Sequence, residues 1–384
     1  MYQKFKDIDP SKKDASLSDI KMAFNMIKSV VGIGLLSISF TLKDAGWLFL
    51  FIMLFIALIT LYNALTLGKL VQKYTNEVDY IIDYPTLGKF VYGNICKNII
   101  NAFWGIEIFM ISLVVVNLGI TFLSEISFLK SVSYIWIEFL VSISYLSISF
   151  IRNYNSVSLI SLGGIFSIMF LVIIIFIKFC MTEHLELDTK MIDFSKIPNC
   201  IGISLFSFGG HVIFPEIYDT LKKKDNIYKI IYICWGIITL FTLGFAVLGF
   251  TIFGSHTLAS IASDIESGPI KDCLLISLFL NLFFSFPLTV NPLLLKLECI
   301  NCIILRVFYM VILFCICHFW QSFIQMMSLT GVVLENMTSL ILPPLFLLKL
   351  EPNMNLLHKI LNIGIIVFGL FILIFGLVVE IKKF

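Results

Sequence analysis

The stretch MIKSVVGIGLLSISF, Met26–Phe40, is apolar enough to lie in a membrane, yet it carries Gly32 and Gly34 near its centre. In hydrocarbon every backbone N–H and C=O must find a partner, so a bent or unwound helix survives only where protein or a water-filled cavity surrounds it. Asn25, Ser29 and Gly32 recur at helical spacing and therefore share one face. The pattern predicts a helix that is interrupted at a buried site. Taken alone, it is equally typical of a small-residue face that packs against another helix.

A second stretch of the same kind, SLFSFGGHVIFPE at Ser204–Glu216, places Gly209 and Gly210 in mid-span, followed by His211 and Pro215. Five apolar runs begin at each of the two glycine-interrupted spans. A pair of Gly/Pro-interrupted spans at corresponding positions of two halves indicates an inverted-repeat transporter with a binding site near the bilayer midplane. We therefore predict an all-α, polytopic membrane protein with a 5+5 inverted repeat, discontinuous spans 1 and 6, and one further span.

Composition supports a membrane protein and excludes soluble enzymes. Hydrophobic residues make up 59% of the chain and charged residues 14%, whereas a soluble domain carries about a quarter charged residues. No basic tract is long enough to indicate a nucleic-acid partner. Long uncharged runs of about 20 residues, the length that crosses a bilayer, alternate with short charged loops. They predict eleven transmembrane helices, at Ile20–Thr41, Trp47–Val71, Ile99–Leu123, Val132–Phe150, Ser156–Phe179, Pro198–Tyr218, Ile230–Phe253, Ile270–Leu295, Ile303–Cys317, Phe319–Leu348 and Leu356–Val379.

The predicted organisation has three parts. Residues 1–18 are expected to be a disordered cytoplasmic tail. Residues 19–350 form the transporter core, with spans 1–5 at 19–180 and spans 6–10 at 198–348, and residues 351–384 hold the eleventh span and a short C-terminal tail. Most Lys and Arg residues fall in the N-terminal tail and the even-numbered loops, which predicts a cytoplasmic N-terminus.

Two local features stay open at this level. Asp79–Leu87, in the loop after the second span, could form a short surface helix. Cys180 and Cys200 flank a loop and could form a disulfide, which the sequence does not settle. Cys299 and Cys302 form a CxxC pair with no second pair at metal spacing, so we predict no metal site, and we predict no cofactor.

Four stretches resemble a known family. KMAFNMIKSVVGIGLLSISFTLKDAGW, Lys21–Trp47, is similar to the opening span of the amino acid/auxin permease family, and GISLFSFGGHVIFPEIYDTLKKK, Gly202–Lys224, to its sixth span. FPLTVNPLLLKLE, Phe286–Glu298, and ILPPLFLLKL, Ile341–Leu350, resemble the ends of its eighth and tenth spans. The Gly-His, Phe-Pro and Tyr of span 6 resemble the branch of vacuolar and vesicular inhibitory amino acid transporters. Membership of this family, in the amino acid–polyamine–organocation superfamily, implies a leucine-transporter-like fold and amino acid transport coupled to protons or sodium.

An amino acid substrate needs donors for its carboxylate and acceptors for its amine. A half-helix N-terminus offers free N–H groups and a partial positive charge, so we expect the backbone of Gly32–Leu35 to bind the carboxylate. The free carbonyls of Phe206–Gly209, where the first half of span 6 ends, are expected to bind the amine. The candidate substrate-binding residues are Ser29, Val31, Gly32, Ile33, Gly34, Leu35, Phe206, Ser207, Phe208, Gly209 and Gly210.

Ionisable residues inside spans are functional candidates by default. His211 could relay protons or could be a hydrogen-bonded histidine that supports the break. Glu107 in span 3 could carry the coupling proton or could pair with Lys28 for structural reasons, and Glu335 in span 10 invites the same two interpretations.

In span 8, Ser277, Asn281, Ser285 and Thr289 recur every four residues. In sodium-coupled relatives such hydroxyls hold the ion, but Ser285 and Thr289 could instead bond their own helix carbonyls. The coupling ion stays open between H⁺ and Na⁺, with protons favoured by the branch resemblance. The candidate ion- or proton-coupling residues are Asn25, Glu107, His211, Asn281, Ser285, Thr289 and Glu335, with no catalytic and no metal-binding residue.

Three function classes are weighed. A secondary transporter for neutral amino acids, working by symport or antiport in a vacuolar, lysosomal-type or plasma membrane, fits the interrupted spans and the resemblance. An amino acid sensor of the same fold would usually carry a long cytoplasmic tail. A polytopic enzyme would need paired catalytic residues at membrane depth, and His211, His318 and His358 lack partners at useful spacing.

Overall fold

The computed structural model describes residues 27, 33–75, 83–151, 154–182, 191–211, 226–297 and 302–382. This part of the chain folds into helices and contains no strand. The helices are α1 (Ile33–Ala45), α2 (Phe49–Thr75), α3 (Tyr84–Glu125), α4 (Tyr134–Ser149), α5 (Tyr154–Met181), α6 (Ile197–Phe208), α7 (Ile227–Phe253), α8 (Pro269–Leu297), α9 (Cys302–Phe319), α10 (Phe323–Leu350) and α11 (Leu356–Ile381). Short 3₁₀ turns lie at Ser127–Leu129 and Gly254–His256.

Within the described residues, six helices are long and apolar enough to cross a membrane: α2, α3, α7, α8, α10 and α11. The apolar helices α4, α6 and α9 are shorter, as is the Phe166–Met181 part of α5. The predicted all-α, polytopic architecture is confirmed. The count of eleven spans stays a prediction.

Helix α6 ends where the paired glycines predict a break in the sixth span. Helix α6 has a proline in its first turn and ends at Phe208. Gly209 takes an extended conformation, with φ −66° and ψ −175°. Gly210 follows with φ 107°, a conformation that side chains with a Cβ rarely adopt and that glycine adopts at little cost. The helix therefore cannot continue through these two residues.

Helix α1 packs directly on α6 and α7. A Cβ atom added to Gly34 would lie 2.6 Å from the Ser207 Cα, so α1 and α6 touch backbone to backbone at this position. One turn further, Ser39 Oγ donates to the Phe245 carbonyl of α7 at 2.8 Å. The loop between α7 and α8 covers the same helix, because the Ile261 N–H donates to the Leu36 carbonyl at 2.8 Å.

A second close backbone contact, between Gly202 of α6 and Gly331 of α10, joins these two helices. A Cβ atom on Gly331 would meet the Gly202 carbonyl. A Cβ atom on Gly202 would lie 2.8 Å from Ser328 Oγ. Small residues let membrane helices approach this closely, and van der Waals packing then holds them. The end of α6 is thus fixed between α1 on one side and α10 on the other.

Helix α3 begins earlier than the hydropathy predicts and bends. Asp83 is its N-cap and accepts from the Thr86 N–H at 2.9 Å, which satisfies one of the free donors of the first turn. The helix is kinked at Tyr92–Gly93, where Gly93 has φ 78°. Tyr84 and Leu87 are buried. The prediction of a surface helix at Asp79–Leu87 is therefore wrong from residue 84 onward, because this turn packs inward; residues 79–82 lie outside the described part.

A buried cation joins α4, α8 and α9. Arg306 of α9 is fully buried and donates to the Ser149 carbonyl at the end of α4 and to Asn291 Oδ1 of α8, the latter at 2.9 Å. A positive charge at a helix C-terminus is favourable because the last carbonyls carry partial negative charge. Cys180 is exposed and Cys200 is buried, and both are thiols rather than the halves of a disulfide.

Candidate functional site

The described residues hold one side of the predicted substrate site. Asn25, Ser29, Val31 and Gly32 lie outside them, as does Lys28, so the expected interruption of span 1 at Gly32 stays a prediction. Ile33, Gly34 and Leu35 form the start of α1 as described, with Gly34 and Leu35 buried.

The broken end of α6 lies beside α1. The Phe206, Ser207 and Phe208 carbonyls end the helix, where the last turn has no further N–H groups to accept. Phe208 and Ser207 are buried, and the contact between Gly34 and Ser207 brings the start of α1 to this end. The two backbone segments expected to hold a zwitterion are therefore neighbours.

Glu335, in the centre of α10, lies against the break in α6. A Cβ atom added to Gly209 would overlap the Glu335 carboxyl group. The Gly210 N–H donates to that carboxyl group, and Ser339 Oγ lies 3.3 Å from its Oε2. Glu335 is buried, with 4% of its surface exposed. A buried acidic group thus sits where the chain leaves its helix.

Glu107 of α3 completes a pair of carboxyl groups. Its side chain hydrogen bonds to that of Glu335, and Thr338 Oγ1 lies 3.4 Å from its Oε1. Glu107 Oε2 is buried and receives no N–H or O–H donor from the protein. Two carboxylates have only acceptors to offer each other, so a bond between them requires a proton. The pair is a site for one shared proton, of the kind that two close acids form because both cannot ionise together.

His211 contacts residues of α2 and α7 rather than the carboxyl pair. Its Nε2 lies 2.9 Å from the Thr60 carbonyl of α2, so Nε2 carries the proton that is donated. Trp235 of α7 donates from Nε1 to Thr60 Oγ1 at 3.2 Å, and its ring lies 5.3 Å from the imidazole. His211 Nδ1 is buried with no hydrogen-bond partner. These contacts tie the residue after the break to α2 and α7.

The polar residues of span 8 are placed apart from the carboxyl pair. Thr289 Oγ1 lies 3.5 Å from the Ser285 carbonyl of its own helix, and Ser277 Oγ donates to the Leu274 carbonyl at 2.8 Å. Asn281 Oδ1 is buried without a hydrogen-bond partner. Among the described contacts, none joins Asn281, Ser285 or Thr289 to Glu107 or Glu335. The position of the Thr289 hydroxyl matches the interpretation in which it bonds its own helix.

Two residues that bond the backbone of α10 beside the carboxyl pair, Asn63 and Tyr84, were absent from the sequence-based site, as was Thr60, which bonds His211. Asn63 Nδ2 donates to the Ser339 carbonyl at 2.7 Å, and Tyr84 Oη donates to the Thr338 carbonyl at 2.5 Å. An asparagine in the middle of an apolar span is a signal that could have found Asn63. Tyr84 gave no such signal, because it falls in a region that resembles a surface loop.

Outside the spanning helices, Asp264 lies in the loop between α7 and α8. It accepts from the Leu258 N–H at 2.8 Å. Burial raises the pKa of Asp264 to about 6, and Glu125 adds to this rise, while the Leu258 bond, Lys43 and Lys271 oppose it. This acid is therefore protonated at a pH where most surface carboxyl groups are ionised.

The fold is shared with solved membrane transporters. A variant of the manganese transporter of Eremococcus coleocola superposes with a TM-score of 0.54 at 12% identity, covering 98% of this chain and 100% of that chain. A structure of the same transporter with an aromatic bis-isothiourea compound gives 0.50 at 13% identity, covering 97% of each. At this level of identity the likeness shows the fold alone, which is leucine-transporter-like.

Two curated relatives from Arabidopsis thaliana align over nearly the whole chain. The amino acid transporter AVT1I is 23% identical over 96% of this chain and 95% of its own length. The amino acid transporter AVT1J is 23% identical over 96% of this chain and 92% of its own length. Both are named as transporters, which agrees with the prediction that this chain is not an enzyme. The family described as "Transmembrane amino acid transporter protein" matches residues 16–382, and the chain belongs to this family.

Proposed function

We propose that this chain is a secondary active transporter that moves neutral amino acids across a membrane by alternating access, with protons as the coupling ion. The substrate site lies between spans 1 and 6. The observation that carries the proposal is the hydrogen-bonded pair Glu107 and Glu335, which lies against the broken end of α6. Family membership supports amino acid transport, and this geometry supports the choice of the proton.

The substrate's two charges are matched by the ends of two helices. Its carboxylate is bound by N–H groups at the start of α1, near Gly34, because a helix N-terminus carries partial positive charge. Its ammonium group is bound by the carbonyls that end α6, at Phe206, Ser207 and Phe208. The close contact of Gly34 with Ser207 keeps the two ends within the reach of one small zwitterion. Gly209 has no side chain, so the Glu335 carboxyl group can lie directly against this end of α6.

The carboxyl pair couples the proton to the substrate. With one proton between them, Glu107 and Glu335 together carry one negative charge beside the carbonyls that bind the amine. A substrate ammonium at this end of α6 is attracted to the same charge, so substrate and proton influence each other's binding at one place. A coupling free energy between two such ligands is reciprocal. Sodium would need a set of oxygen ligands, and the Ser277 and Thr289 hydroxyls of span 8 bond carbonyls of their own helix.

The protein is a multi-pass membrane protein, and we propose that its N-terminus is cytoplasmic. The excess of Lys and Arg in the tail and the even-numbered loops supports this orientation. The branch resemblance supports a vacuolar or lysosomal-type membrane. A protease-sensitive tag before Met1 should be cut only when sealed vesicles prepared cytoplasmic side in are opened.

Reconstitution tests the proposal. The purified protein in liposomes should take up at least one neutral amino acid from a labelled panel, and an imposed proton gradient should drive its accumulation while a sodium gradient has no effect. Gly209→Leu should abolish uptake, because the added side chain meets the Glu335 carboxyl group. Gly236→Leu is the matched control, since a Cβ at Gly236 meets nothing within 4 Å.

The outcomes separate the alternatives. Accumulation driven by sodium alone would refute the proton assignment. A folded protein that binds an amino acid but moves none would refute transport and favour a sensor of the same fold.

A further inference from the structure

The centre of α10 is a π-helix, and this is the segment that carries Glu335. Residues Gly331–Ile341, eleven in all, form it, with backbone bonds that run from residue i to i+5. π-Helical turns are rare and are frequently found at functional sites. Each holds more residues than an α-helical turn, so the side chains along it point in directions that a continuous α-helix would not give.

Two side chains from other helices bond the carbonyls at the C-terminal half of this π-helix. Tyr84 Oη of α3 donates to the Thr338 carbonyl at 2.5 Å. Asn63 Nδ2 of α2 donates to the Ser339 carbonyl at 2.7 Å and lies 3.4 Å from the Leu340 carbonyl. Asn63 and Tyr84 are buried, at 0% and 1% exposure. Consecutive carbonyls thus receive donors from outside the helix, and a carbonyl with such a donor does not depend on its own helix for a partner.

We infer that Asn63 and Tyr84 are positioning residues for the proton site: by bonding these carbonyls they hold α10 in the register that turns Glu335 toward Glu107 and the broken end of α6. The inference rests on the proposed function, because that function gives the carboxyl pair its coupling role. Neither residue has to touch the substrate or the proton. Their effect passes through the backbone of α10.

The kink of α3 explains how one helix contributes both Tyr84 and Glu107 to the surroundings of Glu335. The turn that precedes Tyr92–Gly93 presents Tyr84 to α10, whereas the straight part after the kink carries Glu107. Without the Asn63 donor, the Ser339 carbonyl would have no backbone partner in either helical pattern, because residues 343 and 344 are both prolines. Without the Tyr84 donor, the Thr338 carbonyl could regain a partner only in the α-helical pattern, from the Leu342 N–H that now donates to the Met337 carbonyl. That change rotates Glu335, so its bonds to Gly210 and to Glu107 would be lost together.

Tyr84→Phe and Asn63→Leu test this inference, with Tyr145→Phe as the matched control. Tyr145→Phe removes the same atom from another fully buried tyrosine, whose hydroxyl has no hydrogen-bond partner. The first readout is the infrared C=O stretching band of a protonated carboxylic acid, which is independent of transport. Glu335→Gln assigns the band. In Tyr84→Phe, and more so in the double variant, the band should move to higher frequency because the acid loses its carboxylate partner, and Tyr145→Phe should leave it in place.

Transport supplies the second readout. Tyr84→Phe should reduce proton-driven accumulation by about tenfold, the effect of one lost hydrogen bond, and should change its pH profile. Exchange of labelled for unlabelled amino acid, which requires no net proton movement, should stay within about twofold of the wild type. If Tyr84→Phe and Asn63→Leu match Tyr145→Phe in both the band and the pH profile, the inference is wrong.

The infrared and transport readouts test the positioning role and the proposed function separately. A wild type that shows the carboxylic acid band but moves no amino acid would remove the proposed function, and the band shift would still decide the positioning role. If the double variant fails to insert, Tyr84→Phe decides alone, because it removes a single oxygen atom.

Discussion

Gly209→Ala probes the contact between the break in α6 and the Glu335 carboxyl group. The backbone at Gly209, φ −66° and ψ −175°, is open to any residue, so the substitution carries no conformational penalty. The added Cβ would overlap the Oε1, Oε2 and Cδ atoms of Glu335. Overpacking of this kind costs about 1–3 kcal/mol. Part of that cost arises because a displaced Glu335 can no longer accept from the Gly210 N–H.

The destabilisation caused by Gly209→Ala should depend on the Glu335 side chain. In a Glu335→Ala background the space that the carboxyl group filled is empty, so the second alanine should fit. The structure therefore predicts an interaction energy of about 1–3 kcal/mol between the two positions, within the range found for residues in contact. For a chain of 384 residues, the unfolding entropy typical of globular proteins converts 1 kcal/mol into a shift of about 1 °C in Tm. Gly209→Ala should therefore lower Tm by about 1–3 °C more in the wild-type background than in the Glu335→Ala background.

Thermal unfolding of the four proteins of this cycle in detergent micelles measures the difference. Gly236→Ala serves as the control: it lies in α7 with nothing within 4 Å of its added Cβ, and alanine in a helix interior should be neutral or stabilising by up to about 1 kcal/mol. If Gly209→Ala lowers Tm equally with and without the Glu335 carboxyl group, the contact between α6 and α10 does not exist in the folded protein.

Three further predictions concern other parts of the fold. Gly331→Ala should lower Tm strongly, because its Cβ meets the backbone of Gly202, whereas Gly364→Ala, which meets nothing within 4 Å, should not. Since burial raises the pKa of Asp264 to about 6, the folded state prefers the protonated acid: this stabilisation is present below about pH 4 and is lost as pH rises through 6, so Tm should fall over that range, and Asp264→Asn should remove this component of the slope. Arg306→Met should destabilise by at least about 2 kcal/mol, because it leaves buried acceptors unpaired; a Tm equal to that of the wild type would show that this cation contributes nothing.

Hydropathy and glycine placement predicted the parts of the fold that local sequence determines. Apolar runs correspond to helices because each helix must satisfy its own backbone in hydrocarbon. The end of α6 at Phe208 follows from Gly209 and Gly210, because two adjacent glycines let the backbone leave the helical conformation at little cost.

The partners of the site residues could not be predicted, because they come from distant parts of the chain. Glu107 was expected either to carry the coupling proton or to pair with Lys28, which lies outside the described residues. The sequence did not indicate its neighbours Glu335 and Thr338, the latter 231 positions further along. The Ser339 and Thr338 carbonyls of the π-helix accept from Asn63 of α2 and Tyr84 of α3, and residues 331–341 alone do not indicate these partners. The inward turn at Tyr84 was missed for a related reason: Gly93 bends α3, and a hydropathy window does not register a bend.

Proton movement tests the central claim that the carboxyl pair beside the broken helix couples protons to amino acid transport. Liposomes that hold a pH-sensitive dye and the wild-type protein should show a proton flux when a transported amino acid is added outside, without any imposed gradient. Glu335→Gln should show no such flux, yet should still exchange labelled for unlabelled amino acid. A Glu335→Gln protein that moves protons with the amino acid as the wild type does would contradict the account.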